Sequence, residues 1–208
     1  MYKESFRRYI ENLASKNSTP GGGSASSLVS CLGTALLSMA CNFTLGEKYK
    51  DREEEMRRIL KSLDSLRERL EELVDEDIYS YKELLLAYKL PKDNVGKKKR
   101  EEKIQSALRK ALEVPFKICE FSLEAIRLSK IIVDKANPNL ITDVGGGVLF
   151  LEAGFNSAVL NVEINLKSLK DKELNKKVKS KIESWRKEVV EIKEEVLKKV
   201  YNKILNPK

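Results

Sequence analysis

Apolar residues recur along this chain with the period of a helix, and no stretch keeps the strict two-residue alternation of a half-buried strand. Phe6, Ile10 and Leu13 share one face of a first predicted helix ending near Lys16. From Ser18 to Gly46 the chain carries no charge. That stretch opens with the turn Ser18-Thr19-Pro20-Gly21-Gly22-Gly23. It continues as an apolar helix through Leu28, Leu32, Leu36 and Met39, closing at Gly46 and capped by Ser24. Asp51 is the expected cap of a third helix, with Glu53, Glu54 and Glu55 in its first turn. Leu90-Pro91-Lys92-Asp93-Asn94 breaks that helix. A fourth carries Ile104, Ala107, Leu108 and Ala111. Pro115 either kinks it or starts a new one, which runs on through Ile118, Phe121, Ala125, Leu128 and Ile132. Beyond Asn137-Pro138-Asn139, Thr142 or Asp143 caps a helix from Val144 to about Leu169. The last, Lys172 to Leu205, is amphipathic from Val178 to Val200. With no repeat and no low-complexity linker, residues 1–208 read as one all-α domain, a helical bundle.

Two of these helices are alike. The second and the fifth are rich in small and apolar residues, and each holds three consecutive glycines near its start, Gly21-Gly22-Gly23 and Gly145-Gly146-Gly147. Small residues let helix axes approach closely, so the pair is expected to pack centrally, against each other or against a second copy. Three ordered glycines suit a backbone that needs unusual dihedrals or must lie close to a bound group. A glycine-rich turn feeding a helix start also offers unpaired N–H groups, a seat for an anion or a polarised oxygen. No Gly-Lys-Ser/Thr follows, so the turn is not a nucleotide P-loop.

The third helix holds the sharpest local anomaly. Met56, Leu63, Leu70 and Leu84 are spaced by sevens, with Ile59, Leu66 and Leu73 as a companion row. The position that completes the first row is Asp77, a carboxylate where the stripe calls for leucine. Burying it unpaired is expensive, so it has a partner, ends the buried stripe, or does chemistry.

Composition narrows that chemistry. The chain has no histidine, which excludes histidine-ligated zinc, a Ser-His-Asp triad and a Cys-His dyad. Proton transfer near neutral pH falls to a shifted carboxylate, Lys, Tyr or Cys. Cys31, Cys41 and Cys119 form no CxxC pair and read as reduced core residues of a cytoplasmic protein. Abundant Lys and Glu with a single Gln lean towards a thermophile. The net charge of +8 suits nucleic acid, anionic lipid or a polyanionic small molecule. No nucleic-acid recognition motif or aromatic-interleaved basic stripe accompanies it. The many serines of the uncharged stretch, and Asn42, argue against a membrane span.

Taken in order, several motifs resemble the formiminotetrahydrofolate cyclodeaminases and the related methenyltetrahydrofolate cyclohydrolases. They are Thr19-Pro20-Gly21-Gly22-Gly23-Ser24, Asn42-Phe43-Thr44 with Lys48-Tyr49, Asp77, Leu90-Pro91-Lys92, Arg100 with Gln105, Val114-Pro115, Asp143, and Asn161-Val162-Glu163-Ile164-Asn165. The resemblance covers nearly the whole chain. It implies a helical fold that dimerises, a tetrahydrofolate substrate, and neither metal nor other cofactor. It makes Asp77 the catalytic acid/base and places Pro20, Gly21, Gly22, Gly23 and Ser24 at the folate site. Asp143 and Asn161 join as candidate substrate-binding residues. Lys48, Lys92 and Arg100 are candidates for the substrate's carboxylate tail, which is often extended by further glutamates. The expected reaction converts 5-formimino-tetrahydrofolate to 5,10-methenyl-tetrahydrofolate with loss of ammonia. The alternatives are cyclohydrolysis on the same fold and a non-catalytic basic helical binding protein. Two features depart from the family pattern: the Gly145-Gly146-Gly147 run and the serine-rich start of the second helix.

Overall fold

A computed structural model describes residues 6–91 and 96–206. Lys92 lies outside them. Among the described residues the helical periods become six helices and no strand. They are α1 (Phe6–Leu13), α2 (Gly22–Asn42), α3 (Glu53–Lys89), α4 (Lys97–Lys135), α5 (Ile141–Ser168) and α6 (Lys172–Leu205), with 3-10 turns at Glu47–Tyr49 and Pro138–Leu140.

The small-residue helices α2 and α5 pack against each other, as the sequence allowed. They run antiparallel, with Gly22 beside Asn161 at one end and Gly33 beside Gly147 further along. A Cβ on Gly33 would stand 2.7 Å from the Gly147 carbonyl oxygen, and one on Gly147 would stand 3.0 Å from that of Gly33. Glycine is needed here because two backbones touch, not because the chain turns. The surplus serines of α2 bond to its neighbours: Ser27 Oγ donates to the Leu70 carbonyl of α3 at 2.6 Å, and Ser30 Oγ meets Ser122 Oγ of α4 at 2.8 Å. Hydroxyls at these positions join helices that approach too closely for larger side chains.

The heptad rows of α3 are buried as their spacing requires, with Met56, Leu63 and Leu70 fully covered. α4 crosses behind α2, α3 and α5, and α6 lays Val178, Ile182, Trp185, Val189, Ile192, Val196 and Val200 against the same continuous core. Trp185 stacks on Phe116 with ring centroids 5.0 Å apart. Cys31, Cys41 and Cys119 are free and buried. Burial pushes the first thiol up to about 11 and the second to about 12, so both stay protonated and unreactive.

Several boundaries differ from the sequence reading. α2 starts at Gly22 and ends at Asn42, so Ser24 lies inside its first turn and is not the cap; Gly21 holds that position without a side-chain bond. The chain reaches Gly46 only after a short turn, and Gly46 alone among the described residues has a left-handed backbone, φ 104°. Arg52 rather than Asp51 precedes α3, and Asp51 pairs with the Arg52 guanidinium instead. α5 begins at Ile141, which places Thr142 and Asp143 within its first turn. Pro115 neither ends α4 nor starts a new helix.

Candidate active site

The glycine turn and Asp77 meet at one end of the α2–α5 pair. Gly21 is extended, with φ −135° and ψ −162°, and its carbonyl accepts the Ala25 N–H at 3.0 Å, opening the helix. None of the three glycines adopts a left-handed backbone. Close approach is what fixes Gly23: a Cβ there would overlap the Asp77 carboxylate oxygens. The open space lets Ser24 N–H donate to Asp77 Oδ2 at 2.8 Å. A first-turn N–H without an intrahelical acceptor thereby finds a carboxylate.

Two opposed effects act on Asp77. Burial pushes its pKa above the ordinary carboxylate range, and the Ser24 N–H pulls back, with burial the larger. Above Ser24 stands Tyr9 of α1, its hydroxyl 2.9 Å from Ser24 Oγ. Burial raises the Tyr9 phenol, helped by the charges of Asp77 and Asp75 and opposed by the Ser24 bond.

Asp77 opens onto a cavity of about 270 Å³. Its floor is the turn, through Ser18, Thr19, Gly21, Gly22 and Gly23. One wall is α3, through Asp77, Ser80 and Tyr81; the other is Ala111 of α4 with Asn161, Ile164 and Asn165 of α5. The Thr19–Pro20 peptide bond below it is cis. Asn161 Nδ2 donates to the Ser157 carbonyl at 3.0 Å, and Asn165 Nδ2 to the Ala111 carbonyl at 2.9 Å. The cavity therefore offers a raised-pKa carboxyl group, the first-turn residues Gly22 and Gly23, two carboxamides and the Tyr81 hydroxyl to an apolar-edged ligand. Among the described residues no three His, Cys, Asp or Glu side chains are placed to hold a metal ion.

Of the residues singled out in the sequence, Gly21, Gly22, Gly23, Asp77 and Asn161 line this cavity. Pro20 sits within the turn that forms the floor, and Ser24 reaches the site through its N–H. The remaining described candidates are elsewhere. Lys48 follows the far end of α2, its ammonium 5.3 Å above the Tyr49 ring. Asp143 is in the first turn of α5, eighteen residues and so roughly 27 Å along the helix from Asn161. Arg100 donates to the Leu90 carbonyl at 3.0 Å and to that of Tyr88 at 3.1 Å, closing the end of α3. Ser80, Tyr81 and Asn165 were not singled out for the site. Their signal was helical spacing: Ser80 and Tyr81 fall three and four residues after Asp77, and Asn165 four after Asn161. Tyr9 carries no such signal.

The class is set by fold and cavity: an all-helical bundle whose two central small-residue helices open at one end onto a polar pocket. The family follows from comparison. The profile of the formiminotransferase-cyclodeaminase family matches residues 5–184, and the chain belongs to that family. It is 35% identical over 203 residues to the methenyltetrahydrofolate cyclohydrolase of Methylorubrum extorquens, covering 97% of this chain and 98% of that one. It is 31% identical over 182 residues to the formimidoyltransferase-cyclodeaminase of Rattus norvegicus, covering 86% of this chain but only 34% of that longer protein. The fold superposes on the crystal structure of formiminotetrahydrofolate cyclodeaminase from Thermotoga maritima with a TM-score of 0.89, at 27% identity, covering 97% of this chain and 98% of that one.

Proposed function

We propose that this protein converts 5-formimino-tetrahydrofolate to 5,10-methenyl-tetrahydrofolate with release of ammonia. The observation that carries the reading is Asp77, a carboxyl group with raised pKa that faces a polar cavity and is held by one backbone N–H. The substrate's N10 attacks the formimino carbon and gives a ring carbon bearing NH2 between N5 and N10. The N10 proton must leave, and the departing nitrogen must gain one. A single carboxyl group does both in turn: it takes the proton from N10 and delivers it to the NH2 group, which leaves as ammonia. The further proton, taken up from solvent, is the one that makes the formimino nitrogen NH2 as N10 attacks, and it balances the cationic methenyl product. Holding N10 beside the formimino carbon supplies the rest by proximity. The scheme uses no cofactor beyond the folate itself.

A second reading, methenyltetrahydrofolate cyclohydrolysis, is favoured by the near full-length match to the Methylorubrum enzyme. Its adduct differs only in bearing OH where the first bears NH2, so the same carboxyl group serves. Incubating the purified protein with each folate and following methenyl absorbance separates the two. The signal rises with 5-formimino-tetrahydrofolate under the first reading, and falls with 5,10-methenyl-tetrahydrofolate under the second. No change with either folate overturns both.

The same helices support a proposal of a homodimer. Leu32 and Met39 of α2, with Phe43 just past its end, form an exposed stripe beside Leu149, Phe150 and Leu160 of α5, and Leu36 and Gly146 bring the two stripes together. By length and composition both helices would pass for membrane spans, yet more than half of the apolar window of α2 is buried within the fold. A second copy covering the exposed stripe completes that burial. Light scattering at micromolar concentration is expected to give twice the chain mass; a clean monomer overturns the dimer.

A further inference from the structure

Pro115 lies in the interior of α4 and has no N–H, so the carbonyl four residues earlier loses its helical donor. That carbonyl belongs to Ala111, which lines the cavity. Its replacement donor comes from another helix: Asn165 Nδ2 of α5, at 2.9 Å. A carbonyl oxygen only accepts, so the atom facing it must be the NH2 end of the carboxamide, and the assignment of the two ends is forced. Asn165 Oδ1 is thereby turned away from Ala111. Asn161, one turn earlier, is fixed the same way by the Ser157 carbonyl at 3.0 Å. Both residues line the cavity, and among the described residues no donor is found for either Oδ1.

We propose that Asn165 is a specificity-determining residue whose carboxamide oxygen accepts a hydrogen bond from an N–H donor on the ligand's heterocycle, and that Pro115 is the positioning residue that orients it. The inference rests on the folate reading above and adds to it the part of the substrate that is read. The tetrahydrofolate ring system presents an amino group and a ring N–H on adjacent atoms, a donor edge that fixed acceptors recognise. A freely rotating carboxamide could equally turn its NH2 end to a ligand carbonyl. Anchoring one N–H on the Ala111 carbonyl keeps the oxygen and the NH2 group from exchanging places.

The test uses the full-length protein, whichever folate reaction it runs, and two substrates: the natural folate and an analogue whose ring amino group is replaced by methyl. Asn165→Leu is expected to raise KM for the natural folate roughly tenfold, the effect of one neutral hydrogen bond, with little change in kcat. It should also erase most of the parent's preference for the natural ring. Pro115→Ala restores an N–H to the helix and competes for the Ala111 carbonyl. It is expected to move KM and ring preference in the same direction by a few-fold, while Tm stays level or rises. Parent-like ring preference in Asn165→Leu overturns the proposal. Parent-like preference in Pro115→Ala removes Pro115 from it. A parent that turns over the folate while its variants discriminate as it does sinks this inference and leaves the proposed function standing; a parent inactive on both folates sinks both.

Discussion

The two ends of the α2–α5 pair are built from similar residues and behave differently. At the end away from the cavity, Thr44 Oγ1 donates to the Ala40 carbonyl at 2.6 Å and accepts the Asn137 N–H at 2.9 Å. Arg52 caps the end of α4 through the Lys135 carbonyl at 2.9 Å, and Lys135 pairs with Glu55. Apart from the buried Ser38 and Tyr49 hydroxyls, the buried polar side chains described there are satisfied by the protein itself. At the cavity end, the Asp77 carboxyl group, the first turn of α2 and the carboxamides of Asn161 and Asn165 line open space, and neither carboxamide oxygen has a donor among the described residues. Residue type does not separate the two ends; unspent hydrogen-bonding capacity beside a cavity does. The consequence is testable, because substitutions at the open end should change turnover and those at the closed end should change stability.

Asp77→Asn carries the largest expected effect. It keeps the shape and can still accept the Ser24 N–H, but it cannot exchange a proton. Turnover should fall roughly 10²–10⁴-fold with folate binding retained, as read by steady-state kinetics and titration calorimetry. Stability should move the other way. A carboxyl group whose folded pKa is raised binds its proton more tightly in the folded state. It therefore lowers stability as pH climbs from the unfolded value of about 3.9 through the folded one. The variant's advantage over the parent in urea melts should be absent well below pH 4 and fully developed above the folded pKa. Near-parent turnover would remove Asp77 from the mechanism.

Gly23→Ala sharpens the same point with a single methyl group. The new Cβ overlaps the Asp77 carboxylate, which must swing away from the Ser24 N–H. Displacing a reacting group by about 1 Å can cost on the order of 10²-fold in rate, while alanine within a helix is intrinsically favourable. Kinetics should therefore suffer far more than Tm. A variant that unfolds before it loses activity would make the glycine a packing residue only.

How much of this was legible in advance depended on whether the signal was local. Helix periods are local, and all the long helices were visible in them. Asp77 stood out because one acidic residue interrupts a row of leucines on a single helix. The cap at Ser24 was misplaced because a glycine start has no side chain to announce itself, and the cap falls three residues earlier, at Gly21. Lys48 and Asp143 carry charges near small-residue helices, but only the antiparallel pairing shows that both lie at the far end from the glycine turn. The link from Pro115 through Ala111 to Asn165 spans two helices and 54 residues of sequence separation, so no window along the chain contains it.

Thr44→Val tests the closed end. The hydroxyl is fully buried and serves both as donor to Ala40 and as acceptor for the Asn137 N–H. Valine keeps the shape and leaves that N–H buried without a partner, at a cost of about 1–3 kcal/mol. Denaturant melts should register that loss, and kcat/KM per folded molecule should stay at the parent value. A drop in kcat/KM would mean that the two ends are coupled through α2, and the division drawn here would fail.

Arg100→Ala has the smallest expected effect and bears on how the positive charge is used. If Arg100 met a substrate's carboxylate tail, removing it would weaken binding in a salt-dependent way. In the fold its guanidinium is already engaged by the Tyr88 and Leu90 carbonyls, two of the groups that a helix end leaves without intrahelical donors. Water can replace the guanidinium at the more exposed of the two bonds, so the loss should be about 1 kcal/mol of stability, the scale of one net hydrogen bond. KM for folates with short and long glutamate tails should be unchanged at low and at high salt. A rise in KM confined to low salt and to the longer tail would instead place Arg100 at the tail's path and reduce its role at the end of α3 to a resting position.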